Sequence, residues 1–412
     1  MAKLKPFKAI RPVRDKAHLV ATRPVPSYKD SVLKAKLETN PYSFIHIINP
    51  EFNARVKTKP NSPERFMHVK EKFEEFCQAG ILEQDPEETL YLYQQTKEGH
   101  AYLGIIAGAS IEEYNQDLIK KHEATLTSRE SMFTEYLDIV GFNAEPVLLS
   151  YPHNEKLEKI YADIIQARPE FEFSTTDEVK HELWVLTQEQ TETVLKGFET
   201  VEASYIADGH HRSASSARLA EIIRKRGTSS TSGNHEYFLA FLIDENRLHI
   251  LEFNRLVKSL NGLDPADFLQ QLSASFDIEK LDSPAKPGRE HQLTMDLKGT
   301  WYQLSCKPEI IDDTHPVACL DPEILTQRIL TPLLGISDLK TDSNIEFISG
   351  NLGLDAISGP IRSGKAELGF VLFPLTVAQV KRVADHKMIM PPKSTWVEPK
   401  LRSGLTIYKI EE

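Results

Sequence analysis

Cysteine is scarce: Cys77, Cys306 and Cys319 are the three in 412 residues. So few, so scattered and odd in number, they exclude a disulfide framework and point to reduced thiols. No Cys-x-x-Cys pair suggests zinc. No run of about 18 apolar residues occurs, so no membrane span is expected. The opening MAKLKPFKAIRPVRDK is basic but lacks an apolar stretch, so no signal peptide is expected and the protein is placed in the cytoplasm. Positive charge is also short, with 49 Lys and Arg against 60 Asp and Glu, a net −11. That argues against a broad nucleic-acid surface, which needs a basic face, while allowing a local basic patch. No internal repeat is visible. What is present is ordinary for a globular chain, 40% hydrophobic and 26% charged, and long enough for two or three structural units.

Prolines in residues 1–60 predict extended segments and turns there. Residues 63–81 carry Phe66, Val69, Phe73, Phe76 and Cys77 at helical spacing, closed by Gly80. LYLYQQT and HAYLGIIAGAS read as a strand pair around a KEG turn, and IEEYNQDLIKKHEAT as a helix, with a second helical stretch from Ser128. EPVLLSY, HELWVLT and SYIAD read as strands, and HEYFLAFLID with RLHILEFNRLV as a hairpin around DEN. Strands and helices mix without strict βαβ alternation, which predicts an α+β fold with mixed sheets. The expected division is an N-terminal α+β segment 1–115, a central core 116–260 and a C-terminal α+β segment 261–412.

The stretch YIADGHHRSASSARLAEIIRKRG, residues 205–227, carries the strongest signal. An apolar strand ends in Asp208-Gly209-His210-His211-Arg212 and runs into an alanine-rich helix closed by Gly227. A strand-to-helix junction offers backbone N–H groups and the positive end of the helix dipole to an anion. Arg212 adds a forked cation suited to phosphate, and Asp208 is a candidate metal ligand or base. The plainer reading is a helix start capped by Asp208, with His210 and His211 solvated.

Three further stretches carry charged or glycine-rich patterns. KKHEATLTSRE, 120–130, brings Glu123 near Arg129 in sequence; a carboxylate there could accept the proton of an attacking hydroxyl while the arginine holds phosphate. The plainer reading is a solvated helix end. MPPKSTWVEPKLRSG, 390–404, holds Lys393, Ser394, Thr395, Lys400 and Arg402 on a proline-stiffened segment suited to an anionic ligand, or simply covers the surface. GPIRSGKA, 359–366, has the spacing of a phosphate-binding loop, but Ala366 stands where a magnesium-binding hydroxyl belongs, and it reads as a hairpin turn.

YIADGHHR, the HEAT…R segment, FNRLV and MPPKSTWVEPKLRSG together resemble a bacterial family of unknown function, over essentially the whole chain. The DGHHR turn also resembles that of the archaeal free serine kinase, in the ParB and sulfiredoxin superfamily. The resemblance implies a ParB/sulfiredoxin-like core and phosphoryl transfer between ADP or ATP and free serine or phosphoserine, in either direction. It implies that Gly209 to Arg212 hold phosphate, that Asp208 binds Mg2+ or orients the hydroxyl, and that Glu123 takes its proton. Arg129, Lys393, Ser394, Thr395 and Lys400 join the phosphate-binding set. Serine or phosphoserine and a nucleotide are the implied partners, and a homodimer is left open. The alternative is a ParB-like, nucleotide-operated binding module without small-molecule chemistry.

Overall fold

The computed structural model describes residues 2–52, 54–227 and 232–410. Its contacts divide the chain into two compact units: Met1–Lys121, Thr125–Leu248 and Pro399–Glu412 form the first, and His122–Ala124 and His249–Glu398 the second. The division does not fall after 115 or after 260.

In the first unit, Glu98 and Gly99 take positive φ values of 52° and 80°, which suits a two-residue hairpin turn. The turn sets Tyr91–Lys97 antiparallel to His100–Ser110, with Lys97 opposite His100. His100–Ser110 is buried on both faces from Tyr102 onward, as a central strand must be. The sheet runs Ile119–Lys120, Ser204–Asp208, Val147–Tyr151, Tyr237–Asp244, His100–Ser110, Tyr91–Lys97, Lys180–Val185, Phe171–Ser174, with Leu4–Lys5 also paired to His100–Ser110. Two of its pairings are parallel, Tyr237–Asp244 with Val147–Tyr151 and Ser204–Asp208 with Ile119–Lys120. One face buries Ile105, Leu149, Ile206 and Leu242 against Leu157, Tyr161, Val194 and Phe198 of the helices Glu155–Ile164 and Gln188–Phe198. The helices Thr127–Val140 and His210–Arg226 pack through Leu137, Leu219 and Ile223. They are also tied by the Ser215 hydroxyl, which donates to the Glu130 carbonyl at 3.2 Å.

The second unit is built on an antiparallel sheet in the order Phe276–Lys280, Thr300–Cys306, Gln292–Leu297, Leu368–Leu372, His249–Val257, Ile345–Ser349. The long strand His249–Val257 pairs its first half with Thr395–Glu398 and its second half with Ile345–Ser349 and Leu368–Leu372. Val257, Leu293, Met295 and Phe370 bury one face against Phe268 and Leu272 of the helix Pro265–Leu272. On the other face Ile357 and Ile361 of the helix Asp355–Arg362 pack on Val371 and Trp301. Gly369 is required there, since a Cβ at that position would lie 2.3 Å from Ile357 Cγ2.

The mixed sheets and helices agree with the expected α+β class. Four local expectations are corrected. The proline-rich start forms a helix at Asp30–Thr39, a stretch between its prolines. IEEYNQDLIKKHEAT is helical only over Ile111–Asn115, then forms the short strand Ile119–Lys120. Asp117 takes φ +60°, which breaks the helix between them. The strands Tyr237–Asp244 and His249–Val257 do not form a hairpin but enter different sheets. GPIRSGKA is the end of the helix Asp355–Arg362 and its exit turn, with Gly364 at φ +71°, not a hairpin.

Candidate functional site

The turn at 208–212 is shaped by a bulge. Ile206 lies opposite Leu149, whereas Asp208 lies opposite Leu148, so the register shifts between them. Simple alternation would put Asp208 on the same face as Ile206, beneath the helices Glu155–Ile164 and Gln188–Phe198. The bulge turns it to the face that carries Leu148 and Phe241 instead. Gly209 follows at φ +105°, a conformation that side chains resist, and serves as N-cap of the helix His210–Arg226. The helix start has no side-chain cap, so Asp208 is not the cap that the plainer reading assigned it. The first intrahelical bond runs from the Ser213 N–H to the Gly209 carbonyl at 3.1 Å. The first turn therefore presents its N–H groups and the positive end of the dipole at the strand end.

Two cations flank Asp208. Lys400 Nζ donates to its Oδ2 at 3.2 Å, and Arg212 Nη2 lies 3.9 Å from the same oxygen. Burial pushes this carboxyl up, but Lys400 and Arg212 outweigh it and hold the group at about 2. Asp208 is thus an ionised acceptor at neutral pH and a poor proton acceptor. Its side chain is 42% exposed, within reach of solvent.

Arg212 is held on several sides. Its Nη1 lies 2.7 Å from a Glu145 carboxylate oxygen and donates to the Pro146 carbonyl at 2.6 Å. A Cβ on Gly209 would sit 3.2 Å from the guanidinium, so glycine also makes room for the arginine. His210 is buried, and its carbonyl accepts from the Ser213 hydroxyl at 3.1 Å. His211 is half-buried, and its carbonyl accepts from the Ser215 hydroxyl at 2.8 Å.

Lys400 arrives on a tail anchored two residues further on. Arg402 is 6% exposed and donates to Asp177 at 2.9 and 2.8 Å and to the Thr175 hydroxyl at 3.2 Å. Asp177 is held at about 2: burial opposes its charge, and Thr175 and Arg402 more than offset it. Beside this pair lies His181, 1% exposed, sharing a 2.7 Å hydrogen bond with the Tyr93 hydroxyl. The Gln95 amide donates to the Lys400 carbonyl at 3.4 Å.

A family model described as a protein of unknown function (DUF1015) matches residues 4–323. The chain belongs to that family. No curated protein matches the DUF1015 chain. Among solved structures it is similar to a free serine kinase variant in complex with AMP, at 12% identity and TM-score 0.37, over 73% of this chain and 92% of that one. It is also similar to a conserved hypothetical protein from Pyrococcus furiosus, at 13% identity and TM-score 0.36, over 73% and 94%. A third is SbnI with C-terminal truncation from Staphylococcus aureus, at 12% identity and TM-score 0.38, over 71% and 82%.

The first unit of this DUF1015 chain thus brings together Asp208, Gly209, Arg212 and Lys400, with His210 and His211 in the same turn. Arg129 is in this unit too, exposed on the helix Thr127–Val140. Glu123 belongs to the second unit, half-buried in the segment whose neighbour His122 accepts from the Met390 N–H at 3.0 Å. Lys393, Ser394 and Thr395 are there as well. Lys393 takes φ +58° and lies 5.6 Å over the Phe253 ring. The Ser394 hydroxyl donates to the Pro391 carbonyl at 2.7 Å, and Thr395 pairs with Glu252. MPPKSTWVEPKLRSG is therefore divided between the units after Glu398. Glu145, Asp177 and His181 escaped sequence reasoning. Glu145 and Asp177 meet arginines 67 and 225 residues away, and His181 meets Tyr93 88 residues away, so no local spacing marks them.

Proposed function

We propose that this chain transfers a phosphoryl group between a nucleotide, ADP or ATP, and a small hydroxyl amino acid, free serine or phosphoserine. The observation that carries the proposal is an ionised carboxylate, Asp208, set at a helix N-terminus between Lys400 and Arg212. The motif resemblance supplies the choice of serine, and a ParB/sulfiredoxin-like core around this turn is part of the proposal. The amides of Gly209 to Arg212 bind phosphate oxygens at the positive end of the helix dipole. Lys400 and Arg212 balance charge on the moving phosphoryl group. Asp208 accepts a hydrogen bond from the substrate hydroxyl and aims its oxygen at phosphorus. The phosphorus–oxygen bond to the donor's leaving oxygen breaks as the new one forms, its electron pair staying on that oxygen, and the hydroxyl proton leaves through His210 or His211. Glu123, Lys393, Ser394 and Thr395 lie in the second unit, whereas the residues that take these steps lie in the first.

Magnesium fits this donor set in one way. Among the described residues no three His, Cys, Asp or Glu side chains converge on a common point. Mg2+ is commonly held by one or two carboxylates, phosphate oxygens and water, and Asp208 is the carboxylate available. Bound there, it would supply further neutralisation of phosphate charge.

The test is phosphorus NMR of the protein with serine or phosphoserine across a nucleotide panel, with and without Mg2+. Nucleotide-dependent interconversion, lost in Asp208→Asn, is the expected result. Nucleotide binding with no transfer to any hydroxyl amino acid would support the binding module, for which the Arg212–Glu145 pair speaks by already engaging the arginine. Turnover of phosphoserine without nucleotide would instead identify a phosphatase.

A further inference from the structure

The FNRLV strand of the second unit contains an arginine that the proposed chemistry does not use. Arg255 is 0% exposed. In register beside it are Phe347 and Phe370, and its own strand places Phe253 and Val257 on the same face. The guanidinium stacks 4.5 Å from the Phe347 ring centre. Nη1 donates to the Phe253 carbonyl at 2.7 Å. Nε and Nη2 are buried and have no hydrogen-bond partner among the described residues. No carboxylate among them pairs with it: Glu252 alternates to the opposite face, where it meets Lys286 at 2.7 Å, and Glu346 pairs with Lys258 at 3.2 Å.

An uncompensated buried charge is strongly unfavourable, and a buried cation is ordinarily paired. Burial draws this guanidinium down to about 9, which still leaves it charged at neutral pH. The two unpartnered donors are also a matched set. Nε–H and the adjacent Nη2–H point the same way along one edge of the guanidinium, the fork that receives two oxygens of a planar anion. With Nη1 engaged by Phe253, that edge is the one left without an acceptor among the described residues.

We infer that Arg255 is the anchor of a carboxylate-binding site in the second unit, taking a small monocarboxylate on its Nε–Nη2 edge beneath Phe347. Charge decides for carboxylate over phosphate: one guanidinium neutralises one carboxylate, while a phosphate dianion would leave a net negative charge among aromatic rings. Phe347 is half-buried, and its movement is the short route to the guanidinium. Phe253, the other aromatic wall, packs on Phe347 at 6.1 Å and on Trp396 at 5.7 Å. The inference is independent of the phosphoryl-transfer proposal, whose residues lie in the first unit.

The experiment titrates the full-length protein with sodium acetate against sodium chloride at matched ionic strength, reading the melting temperature and the 15Nε–1H resonance of buried arginine. Saturable stabilisation by acetate, with a shifted arginine resonance, is expected. In Arg255→Met the acetate affinity should fall at least tenfold, while Arg212→Met, at the other site, should retain the response. If Arg255→Met does not fold, the wild-type arginine resonance decides alone: no shift at saturating acetate overturns the site. An undiminished acetate response in a folded Arg255→Met also overturns it, and so does inorganic phosphate binding more tightly than acetate, for the choice of anion.

Discussion

Acid should weaken this protein through His181. The imidazole is 1% exposed, its Nδ1 against the Tyr93 hydroxyl at 2.7 Å and its Nε2 3.4 Å from the Thr175 hydroxyl. Burial, reinforced by the neighbouring Arg402, lowers it from 6.5 to about 3. The unfolded chain therefore binds this proton below about 6.5 and the folded chain only below about 3, so stability rises with pH throughout that window. The gap corresponds to about 5 kcal/mol in full, of which about 2 kcal/mol is lost between pH 7 and pH 5. Asp177 and Asp208 are both held at about 2 and add little in that interval. The assay is urea unfolding at fixed ionic strength at pH 7, 6 and 5, for the wild type and for His181→Gln. The substitution carries its own constant penalty, so the informative quantity is the change with pH. The wild type should lose about 2 kcal/mol more than the variant from pH 7 to pH 5. Equal losses in the two proteins would show that His181 is not held neutral in the fold.

Gly209→Ala should destabilise by about 1–3 kcal/mol in chemical denaturation, because alanine resists φ +105° and its Cβ would crowd a pinned Arg212; an unchanged midpoint would contradict the turn geometry. Lys400→Met should raise the Asp208 carboxyl above about 2, followed by its 13C shift against pH, and no movement would mean that the ion pair does not form in solution. Arg212→Ala should weaken ADP binding by about 1.5–3 kcal/mol in calorimetry, and an unchanged affinity would remove the phosphate role of the turn. Gly369→Ala should destabilise by about 1–3 kcal/mol through overpacking against Ile357, read by thermal unfolding.

The helix Pro63–Gln78, the hairpin at Glu98-Gly99 and the strand-to-helix passage at 204–226 were legible because each is written in neighbouring residues. Apolar spacing, turn glycines and a closing Gly227 act over one or two turns of chain, so local rules suffice. The helix Asp30–Thr39 was missed because prolines on either side dominated the reading, although none falls inside it. The supposed hairpin around DEN failed for a different reason. Two apolar strands separated by a short turn satisfy the local pattern whether they pair with each other or with distant partners.

What the sequence determined by itself about the candidate site is its kernel: a glycine able to take φ +105°, an acid before it, and an arginine one helical turn on. These lie within five residues, and their chemistry follows from their order. Only the tertiary structure decided which way Asp208 faces, because the bulge depends on register against Val147–Tyr151, a strand some sixty residues earlier. It likewise decided that Lys400 meets Asp208, that Glu145 meets Arg212 and that Arg402 meets Asp177. Charges attract across space without regard to sequence distance, so no local pattern marks such pairs. The buried Arg255 is the extreme case: in sequence it is an arginine in an apolar strand, and only the packing on both sides of that strand shows that its Nε and Nη2 have no partner among the described residues.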